Sequence, residues 1–185
     1  MKPEQKPTIV LETERDLRTY MFPLRQKILR MMLLMGKPVT SKQLADLLKI
    51  PPSSSRHHLG RLKEINLVEH DHYEMINGIR AEYLRPADVV VSIGANRNDA
   101  LSSERETISR TLIDGVRERY LLAVRNHAEH VKFSGDMLTG IAHLNGEDAQ
   151  KLYQMVRSFV ESHAQAEGTE TKAWEYAFML FEAPI

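Results

Sequence analysis

Apolar residues in the first half of the chain recur at helical spacing, break at turn residues, and then give way to strands. Leu24, Ile28, Met31, Met32 and Met35 fall at i, i+4, i+7, i+8 and i+11, the buried face of a helix over 23–35. Gly36 closes that helix as a left-handed cap, with Pro38 just beyond. A helix over about 14–21 precedes it. Before that, Ile9-Val10-Leu11 reads as a short strand or arm following residues 1–8, which are expected to be disordered. The methionine stripe could form a ligand-adaptable surface, but its regular period favours core packing.

From Pro38 to Pro86 the pattern is helix, turn, helix, hairpin. Thr40 with Gln43 fits a capping box, in which each side chain satisfies an orphan backbone N–H at the helix start. Leu44, Leu47 and Leu48 then form an apolar stripe, and small Ala45 lets a second helix cross closely. Pro52 suits a first helical position, whereas Pro51 at the N-cap lacks the usual side-chain acceptor. The second helix should bury Leu59, Leu62 and Ile65 together with Ser55 and His58, leaving Ser53, Ser54, Arg56, His57 and Arg61 outward. Leu67 and Val68 begin a strand, Asn77-Gly78 is a type I′ hairpin signal, and Arg80 stands just past the tip. This order is that of a winged helix-turn-helix, whose second helix enters a major groove.

Beyond Pro86 the period changes again. Residues 88–93 (DVVVSI) form a short β-branched run, and 94–99 reads as a loop. A long helix from Ser102 to about Val131 carries Ile108, Leu112, Val116, Tyr120 and Val124 four apart, with Ile113 and Leu121 beside them. A spacing of four drifts around the helix and broadens the apolar band. That makes Leu112, Val116, Tyr120 and Val124 the candidate dimer contact, with Gly115 in mid-helix allowing close packing. The last third predicts strand, helix, strand. Met137–Leu144 is weakly patterned, and Asn145 caps a helix bearing Leu152, Met155, Val156, Phe159, Val160 and His163 on one face. Ala173–Phe181 alternates as a strand, and the two strands could pair in parallel as a βαβ unit.

The expected fold is therefore α+β: an N-terminal winged helix-turn-helix, a long helix, and a small α/β C-terminal dimerisation or sensor domain. The expected divisions are an arm over 1–13, the winged unit over 14–86 and the C-terminal domain over 87–185.

Charge changes this picture in one respect. The 185 residues carry 25 Lys+Arg against 25 Asp+Glu, a net charge of zero that looks unsuited to nucleic acid. Divided at Pro86, the first part holds 15 against 10 and the second 10 against 15, so the positive excess coincides with the motif. The N-terminal KPEQKP run is unlike a signal peptide, and no run approaches the ~20 apolar residues that span a bilayer. The sequence thus points to a cytoplasmic protein with no membrane partner.

Three segments carry a family likeness: Pro23-Leu24-Arg25-Gln26-Lys27-Ile28-Leu29, Ser54-Ser55-Arg56-His57-His58-Leu59, and Gly78-Ile79-Arg80-Ala81-Glu82-Tyr83-Leu84-Arg85-Pro86. On these, residues 20–86 resemble the winged-helix domain of ArsR-like bacterial and archaeal transcription regulators. The resemblance covers a little over a third of the chain. It implies a homodimer on double-stranded DNA, commonly a repressor released by a signal, with contacts from the recognition helix and wing. It does not identify the signal.

The chemistry narrows as follows. Arg56 and His57 are candidates for reading base edges, Lys42, Gln43, Ser53, Ser54 and Arg61 for holding phosphates, and Arg80 for a phosphate or minor-groove contact. Tyr153, Trp174, Tyr176 and Phe178 could wall an effector pocket, though aromatics at strand spacing are more often core and dimer contacts. With no Cys, thiolate metal sensing is excluded. His127 and His130 lie on one face of the long helix and would double to four ligands across a dimer, while the matching Asp-x-His of such a site is absent. No cofactor is expected. No His-Glu-x-x-His, Gly-x-Ser-x-Gly or phosphate-cradling glycine loop occurs, which argues against an enzyme. Alternatives to an operator-binding regulator are a winged-helix protein–protein interaction module and a His/carboxylate metal-responsive repressor.

Overall fold

The computed structural model describes residues 6–94, 97–125, 135–164 and 171–184. Its first two helices, α1 (Glu14–Met21) and α2 (Pro23–Met35), occupy the predicted spans, with Phe22 as the single residue between them. Thr13 caps α1 by accepting from Asp16 N–H at 3.1 Å. Gly36 ends α2 at φ 60°, its N–H donating to the Met32 carbonyl. Ile28 and Met32 are completely buried, and Leu24, Met31 and Met35 pack half-buried around them.

Strand β2 (Val39–Thr40) leads into α3 (Ser41–Leu48), and α4 (Pro52–Glu64) follows the turn. The capping box forms as expected: Gln43 N–H donates to Thr40 Oγ1 at 3.1 Å, and Thr40 N–H donates to Gln43 Oε1 at 2.8 Å. Leu44 and Ala45 are buried and Leu48 half-buried, but Leu47 is exposed, against the predicted stripe. The reason is angular. At about 100° per residue, the buried centre falls between Leu44 and Ala45, and Leu47 stands roughly 100° away from it. Ser55, His58, Leu59, Leu62 and Ile65 are buried as predicted.

Strands β3 (Val68–Ile76) and β4 (Ile79–Pro86) make the wing, joined at Asn77 (φ 51°) and Gly78 (φ 79°), the two positive φ values a type I′ turn needs. The register is antiparallel, with Ile76 opposite Ile79. A bulge at Asp71 lies between the pairs His70–Leu84 and His72–Tyr83. β2 joins the other edge of β4, giving the order β2-β4-β3. Only Val68 and Leu84 of the hairpin are buried, so its outer half projects into solvent.

Strand β1 (Thr8–Val10) pairs in parallel with β5 (Val90–Ser92). The expected disorder over 1–8 is corrected here for residues 6–8. Lys6 pairs with Asp88 at 2.5 Å and Thr8 sits in the ladder, because the β-branched run at 88–93 supplies a partner for the arm. One apolar core takes in Leu11, α1, α2, α3, α4, the wing base and Ile108, so it extends to either side of segment 14–86.

Helix α5 (Ser102–Arg125) is anchored at its first turns by Arg105, a buried guanidinium. Arg105 Nη1 donates to the Ile93 carbonyl at 2.7 Å and to the Leu11 carbonyl at 3.3 Å, and Nη2 pairs with Asp99 at 3.1 Å. The continuation of this helix toward Val131 lies outside the described residues. Helix α6 (Gly146–Ser162) is capped by Asn145, whose Oδ1 accepts from Asp148 N–H at 2.8 Å.

Two predictions are corrected in the last third. Residues 137–144 and 173–181 form no strand, so the parallel βαβ unit is absent from the single chain. Alternation supplies an apolar face but not a ladder. A strand also needs a neighbour for its N–H and C=O groups, and neither the β1–β5 pair nor the wing sheet joins these segments. Among the described residues, no helix is long and apolar enough to cross a membrane.

Candidate nucleic-acid interface

The outer face of α4 begins where Pro52 starts the helix without a side-chain cap, beside exposed Ser53 and half-buried Ser54. Ser55 and His58 turn inward at i and i+3, which places Arg56 and His57 outward on the same turn, both exposed. One turn further on, half-exposed Arg61 pairs with Glu64 at 2.5 Å. An open cleft of about 510 Å³ runs along this face, lined by Ser53, Arg56, His57, Gly60, Arg61 and Glu64. Four predicted residues, Ser53, Arg56, His57 and Arg61, therefore line one cleft on one helix, and a fifth, Ser54, is half-buried on the same helix outside it.

The other three stand apart. Lys42 is exposed at the start of α3. Gln43 turns its amide oxygen back to the Thr40 N–H, so that oxygen serves the cap. Arg80 lies over the Tyr73 ring, 3.6 Å from its centroid, which fixes its direction on the wing. Around it the hairpin tip is apolar: Met75, Ile76 and Ile79 are all exposed.

Some structural residues at this site had little or no sequence signal. Arg15 of α1 reaches Glu64 at 3.0 Å, so Glu64 holds two arginines beside the recognition helix. Behind that helix, Phe22 stacks on His58 at 5.1 Å and lies under the Arg25 guanidinium at 4.5 Å. Arg25 Nε donates to the Thr19 carbonyl and Nη2 to the Arg18 carbonyl at 3.1 Å, capping the end of α1. Burial, then the nearby Arg61 charge, lowers the Arg25 pKa. Burial, then Arg25 and His57, lowers that of His58, whose Nδ1 has no hydrogen-bond partner. The periodicity did carry one hint: Arg25, Ile28 and Met32 stand at i, i+3 and i+7, so Arg25 occupies the buried stripe.

The C-terminal candidates are more open. Along α5, Leu112, Val116 and Tyr120 are half-buried and Val124 is exposed. Tyr153 and Phe178 approach to 6.2 Å, but Tyr153, Trp174, Tyr176 and Phe178 each remain exposed to solvent. His127 and His130 lie outside the described residues. Among the described residues, no group of three or more His, Asp or Glu is placed to hold a metal ion.

Glu175, in the segment after α6, meets two arginines from distant helices: Arg30 of α2 at 3.0 Å and Arg119 of α5 at 2.7 Å. Burial alone would raise the Glu175 pKa, but hydrogen bonds from Arg119 and Arg30 outweigh it and lower the value. Gly115 makes room for this arrangement, since a Cβ there would stand 3.0 Å from Arg119 Nη1.

Comparison with known proteins bears on the first half of the chain. No curated protein matches the sequence. Among solved structures, a "possible transcriptional regulator" from Methanosarcina mazei Go1 aligns at 10% identity and a TM-score of 0.34. The alignment covers 55% of this chain and 78% of that one, a likeness too distant to carry a functional argument. A family model described as a helix-turn-helix domain matches residues 23–71, from the start of α2 through α4 into β3, so the helix pair is a helix-turn-helix by sequence as well as by geometry.

Proposed function

We propose that this chain is a sequence-specific DNA-binding transcription regulator of the ArsR-like type, a cytoplasmic repressor acting as a homodimer on a pseudo-palindromic operator. The observation that carries the reading is the outward face of α4, where Ser53, Arg56 and His57 stand clear of the core on a helix held by α3 and its capping box. In this reading the winged unit over 14–86 reads DNA, and residues 87–185 join the copies through Leu112, Val116, Tyr120 and Val124 and respond to an effector. Two recognition helices then lie about one duplex turn apart, ~34 Å. Arg56 takes a guanine O6/N7 pair and His57 an adjacent base edge. Lys42, Ser53, Ser54 and Arg61 hold phosphates, Arg61 exchanging Glu64 for a phosphate oxygen.

The test is DNA affinity of the full chain for a selected site against random duplex, across a salt series. The reading expects selective binding with a log–log slope near −0.9 per phosphate contacted. Arg56→Ala should cost about 1–3 kcal/mol on the selected site and relax preference at one base position. Equal loss on random DNA would remove Arg56 from base reading. A second reading, a protein–protein interaction module, draws on the wing tip, where exposed Met75, Ile76 and Ile79 offer apolar contact. Unselective binding at every salt concentration would favour it.

A further inference from the structure

The segment after α6 carries the apolar alternation of a strand in its sequence and, among the described residues, pairs with neither sheet. Ala173–Phe181 alternates large apolar residues on one parity with Glu175, Ala177, Met179 and Phe181 on the other. It is nevertheless fixed in place. Arg30 and Arg119 hold Glu175 between α2 and α5, and the Phe178 ring lies 6.2 Å from Tyr153 of α6. The segment therefore lies alongside α6, positioned from both its flanks.

What the two elements leave in solvent is large. Tyr176 is 63% exposed, Met179 59% and Phe181 73%, and on α6 Met155 is 69% and Phe159 67% exposed. At 150–250 Å² for a large aromatic side chain, these five residues alone expose on the order of 600 Å² of apolar surface. Gathered into one contact, that area would match the upper end of the largest apolar patch on a typical monomer, about 300–600 Å², before Trp174 and the rest of α6 are added. It also approaches the ~800 Å² that each partner contributes to a standard stable interface.

We propose that residues 173–181 form an intermolecular strand, pairing antiparallel with the same segment of a second copy of this chain and laying the exposed apolar side chains of α6 and the segment into the dimer contact. A second copy fits for a geometric reason. A two-fold axis perpendicular to an extended segment sets it antiparallel to its own copy, so one sequence supplies both edges and satisfies both rows of backbone groups. The proposal rests on the homodimer of the reading above and changes where it closes: on the C-terminal segment and α6 in addition to α5.

The chain has no Cys, so single cysteines report the pairing directly. Ala177→Cys, Met179→Cys and Phe181→Cys are placed one at a time in the full chain, with Ser103→Cys on α5 as the control, and disulfide-linked dimer is followed after mild oxidation. At least one segment variant should cross-link ten-fold or more faster than the control. By sedimentation velocity the unmodified chain should be a dimer, and Met155→Lys/Phe159→Lys on the exposed face of α6 should weaken dimerisation at least 100-fold. Because both side chains are exposed in the single chain, helix content and melting of the dilute variant should be unchanged. A monomeric unmodified chain, or cross-linking no faster than the control at all three positions, overturns the proposal. DNA binding is scored separately on a duplex with one half-site. Loss of selectivity there by the unmodified chain strikes the operator reading and leaves the strand pairing standing.

Discussion

Helices α2 and α6 carry nearly the same pattern and meet opposite fates. In α2 the stripe of Leu24, Ile28, Met31, Met32 and Met35 is covered by α1, α4 and β4, with Ile28 and Met32 fully buried. In α6 the stripe of Leu152, Met155, Val156, Phe159 and Val160 has no fully buried member, and its two largest side chains face solvent. Periodicity states which face of a helix seeks burial. It does not state whether the covering surface belongs to the same chain. The first half of this protein closes its core on itself, whereas the second presents an apolar face for something to cover.

The strongest way to sharpen that contrast is to truncate one stripe residue from each helix and compare stabilities on dilute protein. Ile28→Ala leaves a cavity in a core that is packed on all sides and should lower stability by about 2–5 kcal/mol. Met155→Ala removes a side chain already in water and should change it by no more than about 0.5 kcal/mol. Denaturant melts of the two variants settle the matter. A loss of 2 kcal/mol at Met155 would mean that α6 is covered within the single chain.

The same contrast explains what could be read from the residues and what could not. Where local chemistry decides, the structure follows the sequence closely: the Thr40–Gln43 box, Gly36 at positive φ, Asn77-Gly78 in the wing, Asn145 at the start of α6. Each needs only neighbours within a few positions. Of the strands expected at 137–144 and 173–181 neither forms: the first was only weakly patterned, and the second alternates but lacks a ladder, which is a non-local requirement. The two buried arginines fall between these cases. Arg105, Ile108 and Leu112 repeat the i, i+3, i+7 placement of Arg25, Ile28 and Met32, so both guanidiniums were legible as members of a buried stripe. Their partners, the carbonyls of Leu11 and Ile93 in one case and of Arg18 and Thr19 in the other, come from chain reversals that no periodicity encodes. For the interface, outward Ser53, Arg56 and His57 followed from the stripe of α4. The inward turn of Gln43 and the stacking of Arg80 on Tyr73 depended on partners instead.

Arg105 is the joint between the two regions, and removing it tests whether they are mechanically one. Arg105→Leu keeps the buried volume but strands the Leu11 and Ile93 carbonyls and frees Asp99. Charged hydrogen bonds of this kind contribute about 1.5–3 kcal/mol, so stability should fall by that amount. Hydrogen exchange should locate the loss in β1, β5 and the first turns of α5, with α3 and α4 unchanged. Protection lost throughout α3 and α4 as well would mean that α5 underpins the helix-turn-helix itself and that the two regions are not separable.

The smallest expected effect is a pH dependence whose upper step belongs to the first region. His58 lies behind the recognition helix with Phe22 stacked on it, Arg25 above that ring, His57 at 5.2 Å and the Arg61 charge near Arg25. Burial, then Arg25 and His57, pushes its pKa below the ordinary 6.5. The unfolded chain therefore binds a proton at a pH where the folded chain does not, and stability must rise with pH through that window. The full contribution is present above pH 6.5. It declines as pH falls from 6.5 toward the lowered folded value and is constant below it. A melt series from pH 7.5 to 3 should show this decline in its upper part, and His58→Gln should flatten it while leaving the carboxylate-driven loss at lower pH. Glu175 titrates in the second region with its pKa below the ordinary 4.5, so its effect begins only under more acid conditions, as the ion pairs to Arg30 and Arg119 are lost. Two separate steps, the upper abolished by His58→Gln and the lower by Glu175→Gln, would assign one proton-linked transition to each region. A decline below pH 6.5 that persists in His58→Gln would place its origin in another histidine and remove His58 from the account.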